Sequence, residues 1–142
     1  MEVKLWKDKG KKKIDPELFS LKAEELAKTI YKEKQQSRDR ANKPTQIRKF
    51  YDEVIRFDGI VKANPGDFES LLPYIKMLNA KVAYANGRDL VSAGFKTFIS
   101  SSLNQIQDKD DFDIFADFFE AFMGYYKYYD KKGDAILQGG AR

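Results

Sequence analysis

Chemistry in this sequence rests on carboxylates, amines and guanidiniums, because cysteine and histidine are both absent. That excludes disulfides, thiolate nucleophiles, the usual zinc sites and every Ser-His or Cys-His arrangement. It also removes the side chain that titrates near neutrality, so acid–base catalysis would fall to shifted carboxylates or lysines. The densest carboxylate set is Asp108, Asp110, Asp111, Asp113, Asp117 and Glu120. Fitted to a calcium loop from Asp108, it puts Phe112 at the fifth position, Asp113 where glycine is required, and Phe119 at the twelfth. That loop fails. The acids read instead as complements to the positive end of a helix dipole, each contributing about 0.3–1 kcal/mol. The serines at 100–102 have no base, and the sequence contains no Gly-rich phosphate loop. No catalytic residue, metal or cofactor is expected.

The cations are more informative. The formal charge is +4, yet residues 1–49 hold 15 of the 26 basic and 8 of the 22 acidic residues. A basic first third favours an anionic partner. Lys4, Lys7, Lys9, Lys11, Lys12 and Lys13 surround Trp6 in an N-terminal tail. Further on, Arg48, Lys49 and Arg56 are offset by Asp52, Glu53 and Asp58, with Arg48–Asp52 and Lys49–Glu53 at pairing distance on a helix. Between Glu69 and Asp89 there is no acid, while Lys76, Lys81 and Arg88 are present. On a helix Lys81 and Arg88 project within about 20° of each other. Unpaired cations on one rod are what a surface following a phosphate backbone needs.

The elements that must carry these side chains are helical. At 142 residues the chain is one domain's length. Asp15-Pro16-Glu17 opens a helix that runs to about Gln36 through Leu18, Leu21, Leu26 and Ile30. Residues 37–44 form a loop. Thr45 is read as the cap of a second helix carrying Ile47, Phe50, Val54, Phe57 and Val61 at spacings of three and four. Asn64-Pro65-Gly66 stops it. A third helix starts at Asp67, runs through Leu71, Ile75, Leu78 and Val82, is bent or ended by Pro73, and closes at Asn86-Gly87. Asp89 caps a fourth, with Val91, Phe95, Phe98, Ser102 and Ile106 on one face. The fifth spans about Asp110 to Tyr129. No segment alternates with period two between hairpin signals. The expectation is an all-α, single-domain bundle of about five helices over residues 15–132. A flexible lysine-rich tail (1–14) and a flexible C-terminal tail (133–142) flank it. No apolar run approaches membrane-spanning length and no signal peptide is evident, so a cytoplasmic location without membrane contact is expected.

In the fifth helix, nine of the 18 residues from Phe112 to Tyr129 are aromatic. Phe115, Phe119, Phe122 and Tyr126 fill a core, and Phe118 with Tyr125 falls on an adjoining face. Such surplus aromatic surface favours a subunit of a larger assembly.

Four blocks in sequence order carry a family resemblance. They are Thr45-Gln-Ile-Arg-Lys-Phe-Tyr-Asp-Glu-Val-Ile-Arg56, then Leu72-Pro-Tyr-Ile-Lys-Met-Leu-Asn-Ala-Lys-Val-Ala-Tyr-Ala-Asn-Gly-Arg88, then Phe95-Lys-Thr-Phe98, then Phe118-Phe-Glu-Ala-Phe-Met-Gly-Tyr-Tyr-Lys-Tyr-Tyr129. Over roughly residues 45–130 the chain resembles the small helical subunit of type III-A CRISPR interference (Csm) complexes. The resemblance implies a non-catalytic building block in antiviral defence. Several copies would stack as an inner filament beside the subunits that carry the guide crRNA and help hold the target RNA. Its partners would be the target RNA, the other Csm subunits and further copies of itself. Since guide–target pairing reads sequence, such a subunit needs only contacts to sugar and phosphate. The residues expected to make them are Arg48, Lys49, Arg56, Lys76, Lys81, Arg88 and Lys127. The competing expectation is a helical protein–protein adaptor that touches no nucleic acid. A carboxylate-metal nuclease on Asp108 to Asp117 is a third, and it predicts metal-dependent RNA cleavage.

Overall fold

Apolar residues three and four apart dictate the rods, and a computed structural model describing residues 2–139 shows how they pack. α1 spans Ala23–Gln36, α2 Pro44–Ala63, α3 Phe68–Lys76, α4 Leu78–Gly87, α5 Ala93–Asn104 and α6 Lys109–Gly139. The architecture is an all-α single domain: five helical rods, the third broken at Met77 into α3 and α4. Among the described residues no strand forms, and no helix is long and apolar enough to cross a membrane.

α6 is the axis of the bundle. α1 and α2 pack against it, α4 against α5, and the turn before α1 against α6. The α2 stripe of Ile47, Phe50, Val54, Phe57 and Val61 is buried as its spacing predicts. Phe112, Phe115, Phe118, Phe119, Phe122, Tyr126 and Tyr129 are all buried too, which corrects the expectation of surplus aromatic surface on this helix. A helix covered from several sides can bury residues around most of its circumference. Phe98 of α5 is the hub, with its ring centroid 5.4–6.0 Å from those of Phe115, Phe118, Phe119 and Phe122. Tyr128 remains exposed.

Helix ends depart from the sequence reading in instructive ways. Asp15 does accept from the Glu17 N–H at 2.9 Å, but the chain first makes one wide π-helical turn, Leu18–Lys22, before α1. Thr45 is not the cap of α2. Pro44 already occupies the first turn, where its fixed φ is pre-set for the helix, and Lys43 precedes it. Pro73 sits inside α3, and the break falls at Met77. Asp89 does not cap α5, because it lies in the left-handed region at φ 60° in the turn leaving α4. The cap is Ser92, whose hydroxyl accepts from the Phe95 N–H.

Both expected tails also differ. Val3 and Leu5 are buried in the core, and Gln105 accepts from the Leu5 N–H at 2.9 Å while donating to the Val3 carbonyl. Val3, Leu5 and the Trp6 indole, with Gln105 and Asp111 as their polar anchors, fasten residues 2–9, while Lys4 and Lys7 stay exposed. At the other end α6 continues to Gly139. Asp134 accepts from Tyr31 at 2.8 Å and Gln35 at 2.6 Å. Residues 140–142 of the expected C-terminal tail lie outside the described residues. Gly133 is the contact point here, since a Cβ on it would lie 2.6 Å from the Tyr31 ring. Gly133→Ala gains about 1 kcal/mol of helix propensity. It loses about 1–3 kcal/mol by displacing a packed ring. A lowered melting temperature in thermal denaturation is the expected outcome.

Candidate nucleic-acid interface

The phase of α2 and α4 decides which cations meet. On α4, Leu78, Val82 and Ala85 turn inward, which leaves Lys81 and Tyr84 on the flank toward α2. On α2, Phe50 points inward while Gln46, Lys49, Glu53 and Arg56 border the same space. Between them runs an open groove of ≈ 630 Å³. Phe50, Leu78, Ala85 and Leu90 contribute its apolar lining, and four cations, Lys49, Arg56, Lys81 and Arg88, oppose two acids, Asp52 and Glu53. Arg88 stays on this side despite the preceding Gly87, since its N–H still bonds to the Tyr84 carbonyl at 3.1 Å and continues the helical path.

Glu53 organises the groove. Its carboxylate receives Lys81 Nζ at 3.0 Å across from α4 and Arg56 at 2.9 Å from one turn along α2. These contacts explain why the Glu53 pKa lies below the usual carboxylate range. The hydrogen bond from Lys81 is the largest influence; partial burial opposes it, and Arg56 adds to the lowering. The Lys49–Glu53 pair anticipated from spacing does not form. Glu53 is taken by two other cations, and Lys49 has no carboxylate partner among the described residues. Arg88 likewise has none there, and its guanidinium lies 5.6 Å from the Tyr84 ring centroid. Arg56 lies 4.5 Å over the Phe57 ring.

Three of the seven expected contact residues do not border the groove. Arg48 pairs loosely with Asp52 at 3.7 Å, Lys76 ends α3, and Lys127 is exposed on α6. Sequence reasoning missed Tyr84, which is 67% exposed on the groove wall. Its signal was present: Lys81, Tyr84 and Arg88 are spaced three and four apart, in a stretch of sequence that contains no acid.

The acids at the start of α6 have a different employment. Asp108 Oδ1 accepts from the Asp111 N–H at 3.0 Å and Asp111 Oδ2 from the Asp108 N–H at 3.1 Å, a reciprocal cap. Asp111 also accepts from the Gln107 N–H, from Trp6 Nε1 at 2.7 Å and from Lys9 at 2.9 Å. This carboxylate is fully occupied by the helix end and the N-terminal segment.

Chemically, the groove offers positive charge beside an apolar surface. A family model described as Csm2 Type III-A matches residues 13–132 of the chain. No curated protein and no solved structure matches it.

Proposed function

The chain belongs to the Csm2 type III-A family and is thus a subunit of a type III-A CRISPR complex, a premise from which we propose that its groove holds target RNA by the sugar–phosphate backbone. Several copies stack as an inner filament beside the guide crRNA and the other Csm subunits, in the cytoplasm, and serve antiviral defence without catalysing a reaction. The observation that carries this reading is the convergence of Lys49, Arg56, Lys81 and Arg88 from two helices onto one groove. Lys49 and Arg88 have no carboxylate partner among the described residues and are available to phosphates directly, while Lys81 and Arg56 share Glu53. Lys76, Arg48 and Lys127 belong to a second tier, outside the groove.

The affinity of one copy is small. Three or four phosphate contacts on a single strand give a salt slope of about −2 to −3. Repetition along a strand multiplies it through effective concentration. Lys81→Glu with Arg88→Glu is therefore expected to weaken RNA retention by the assembled complex roughly tenfold at physiological salt and to flatten the salt slope by about 1.4. Assembly itself, read by co-purification of the other subunits, is expected to be unchanged. Loss of assembly with RNA retention intact would instead identify a protein–protein adaptor.

A further inference from the structure

Pure backbone contact accounts for the four cations but not for what lies between them. The groove has an apolar lining of Phe50, Leu78, Ala85 and Leu90, and Tyr84 stands on its wall with two-thirds of its surface open to water. An exposed phenol ring stands between Lys81 and Arg88, one turn from each, with the Arg88 guanidinium 5.6 Å from its centroid and donating to its hydroxyl at 3.5 Å. A ligand matched to this surface carries a planar apolar group within reach of phosphates. We propose that the groove takes an unpaired nucleotide, its base stacked on Tyr84 and its flanking phosphates on Lys81 and Arg88.

The reading rests on the backbone-holding role proposed above and adds a requirement to it. RNA in the groove is locally single-stranded, because a paired base presents no free face to Tyr84. Stacking is tolerant of base identity, since every base has a π-face, so the contact adds affinity without reading sequence. Glu53 contributes by holding Lys81 and Arg56 on the groove wall, leaving Lys49 and Arg88 as the cations without a carboxylate partner among the described residues.

The test uses the full 142-residue chain and three labelled probes of equal length: a 12-nucleotide uridine RNA, a backbone-matched abasic strand, and a 12-base-pair RNA duplex. The uridine strand is expected to bind about 5- to 100-fold more tightly than the abasic strand, in keeping with measured stacking contributions. It is expected to bind more tightly than the duplex as well. Tyr84→Ala removes the difference between the single strands; Tyr84→Phe keeps it. Tyr84 is exposed, so neither variant threatens the fold. Equal binding of uridine and abasic strands by the native chain overturns the inference, as does a difference that survives Tyr84→Ala. Failure of the underlying reading looks different: Lys81→Ala with Arg88→Ala then leaves all three probes unaffected, or none of the probes binds, and the stacking proposal falls with it.

Discussion

Asn42→Ala is expected to lower the unfolding free energy by about 3–5 kcal/mol, the sum of a broken buried hydrogen-bond network and a strained backbone. The residue lies in the loop between α1 and α2, yet it is completely buried. Every polar group it has is engaged. Its N–H donates to the Leu90 carbonyl at 3.0 Å, and its side-chain NH2 donates to the Ile30 carbonyl at 3.2 Å and the Ser92 hydroxyl at 2.8 Å. Its side-chain oxygen accepts from the Ser92 N–H at 2.8 Å, and its carbonyl accepts from the Tyr126 hydroxyl. Its φ of 63° lies in the left-handed region, where asparagine is tolerated and alanine is not favoured. The network ties the entry to α2 to the Leu90–Ser92 turn, hence the two walls of the groove to each other. Denaturant unfolding measures the loss. Asn42→Gly separates the causes, because it relieves strain and should recover about 1 kcal/mol relative to alanine. Asn42→Asp adds a pH signature. A carboxylate facing the Ile30 carbonyl has its pKa raised in the folded state, so stability is present at low pH and is lost as pH rises through that folded pKa. A variant as stable as the native chain by denaturation would show that the loop is held by other contacts.

Asn42 also marks the boundary of what the sequence discloses. The stripe on α2 was legible because five apolar residues at regular spacing, flanked by charges, allow one burial solution. The cation-bearing flank of α4 was legible for the same reason, as helical phase alone aligns Lys81 with Arg88. Pairing across elements was not legible. Glu53 was assigned to Lys49 by local spacing, but Lys81, brought close only by tertiary packing, competes for it and wins. Asn42 sits in a run of polar residues whose composition is that of any exposed loop; nothing local announces that three segments converge on it. The break at Met77 rather than Pro73 has a similar origin. Pro73 is exposed at the sixth of the nine positions of α3, and its missing N–H leaves only the exposed Glu69 carbonyl without an intrahelical partner. Tyr84 was readable and passed over, because attention went to the apolar stripe through Leu78 and Val82 and to the cations, and Tyr84 belongs to neither set.

Asp111→Ala is expected to cost about 3 kcal/mol and to release the N-terminal segment from the bundle, since it removes a buried carboxylate that accepts from the Gln107 and Asp108 N–H groups, from Trp6 and from the exposed Lys9. The carboxylate is wholly inaccessible to solvent. Burial on its own would raise its pKa. The N–H groups of Gln107 and Asp108, with Lys9 and Trp6, outweigh that effect and hold it below the usual aspartate range. The sign of the pH dependence follows. A carboxylate whose folded pKa is depressed contributes stability above its unfolded pKa of about 3.9, and that contribution is lost as pH falls through the folded value. Trp6 is the only tryptophan, so its fluorescence reports the release directly. In the native chain the emission should shift to the red only below about pH 4. In Asp111→Ala it should be shifted at neutral pH, with the pH-dependent step abolished. Asp111→Asn keeps an acceptor for the indole but not the charge for Lys9, and is expected to lie between the two. Lysines at positions 4, 7, 11 and 13 stay exposed when the segment is fastened, so release frees the whole run to sample solvent. If the indole emission of Asp111→Ala matches that of the native chain from pH 3 to pH 7 (roughly the range spanning a carboxylate's titration), the segment is held by Val3, Leu5 and Gln105 alone. The carboxylate would then serve only the start of α6.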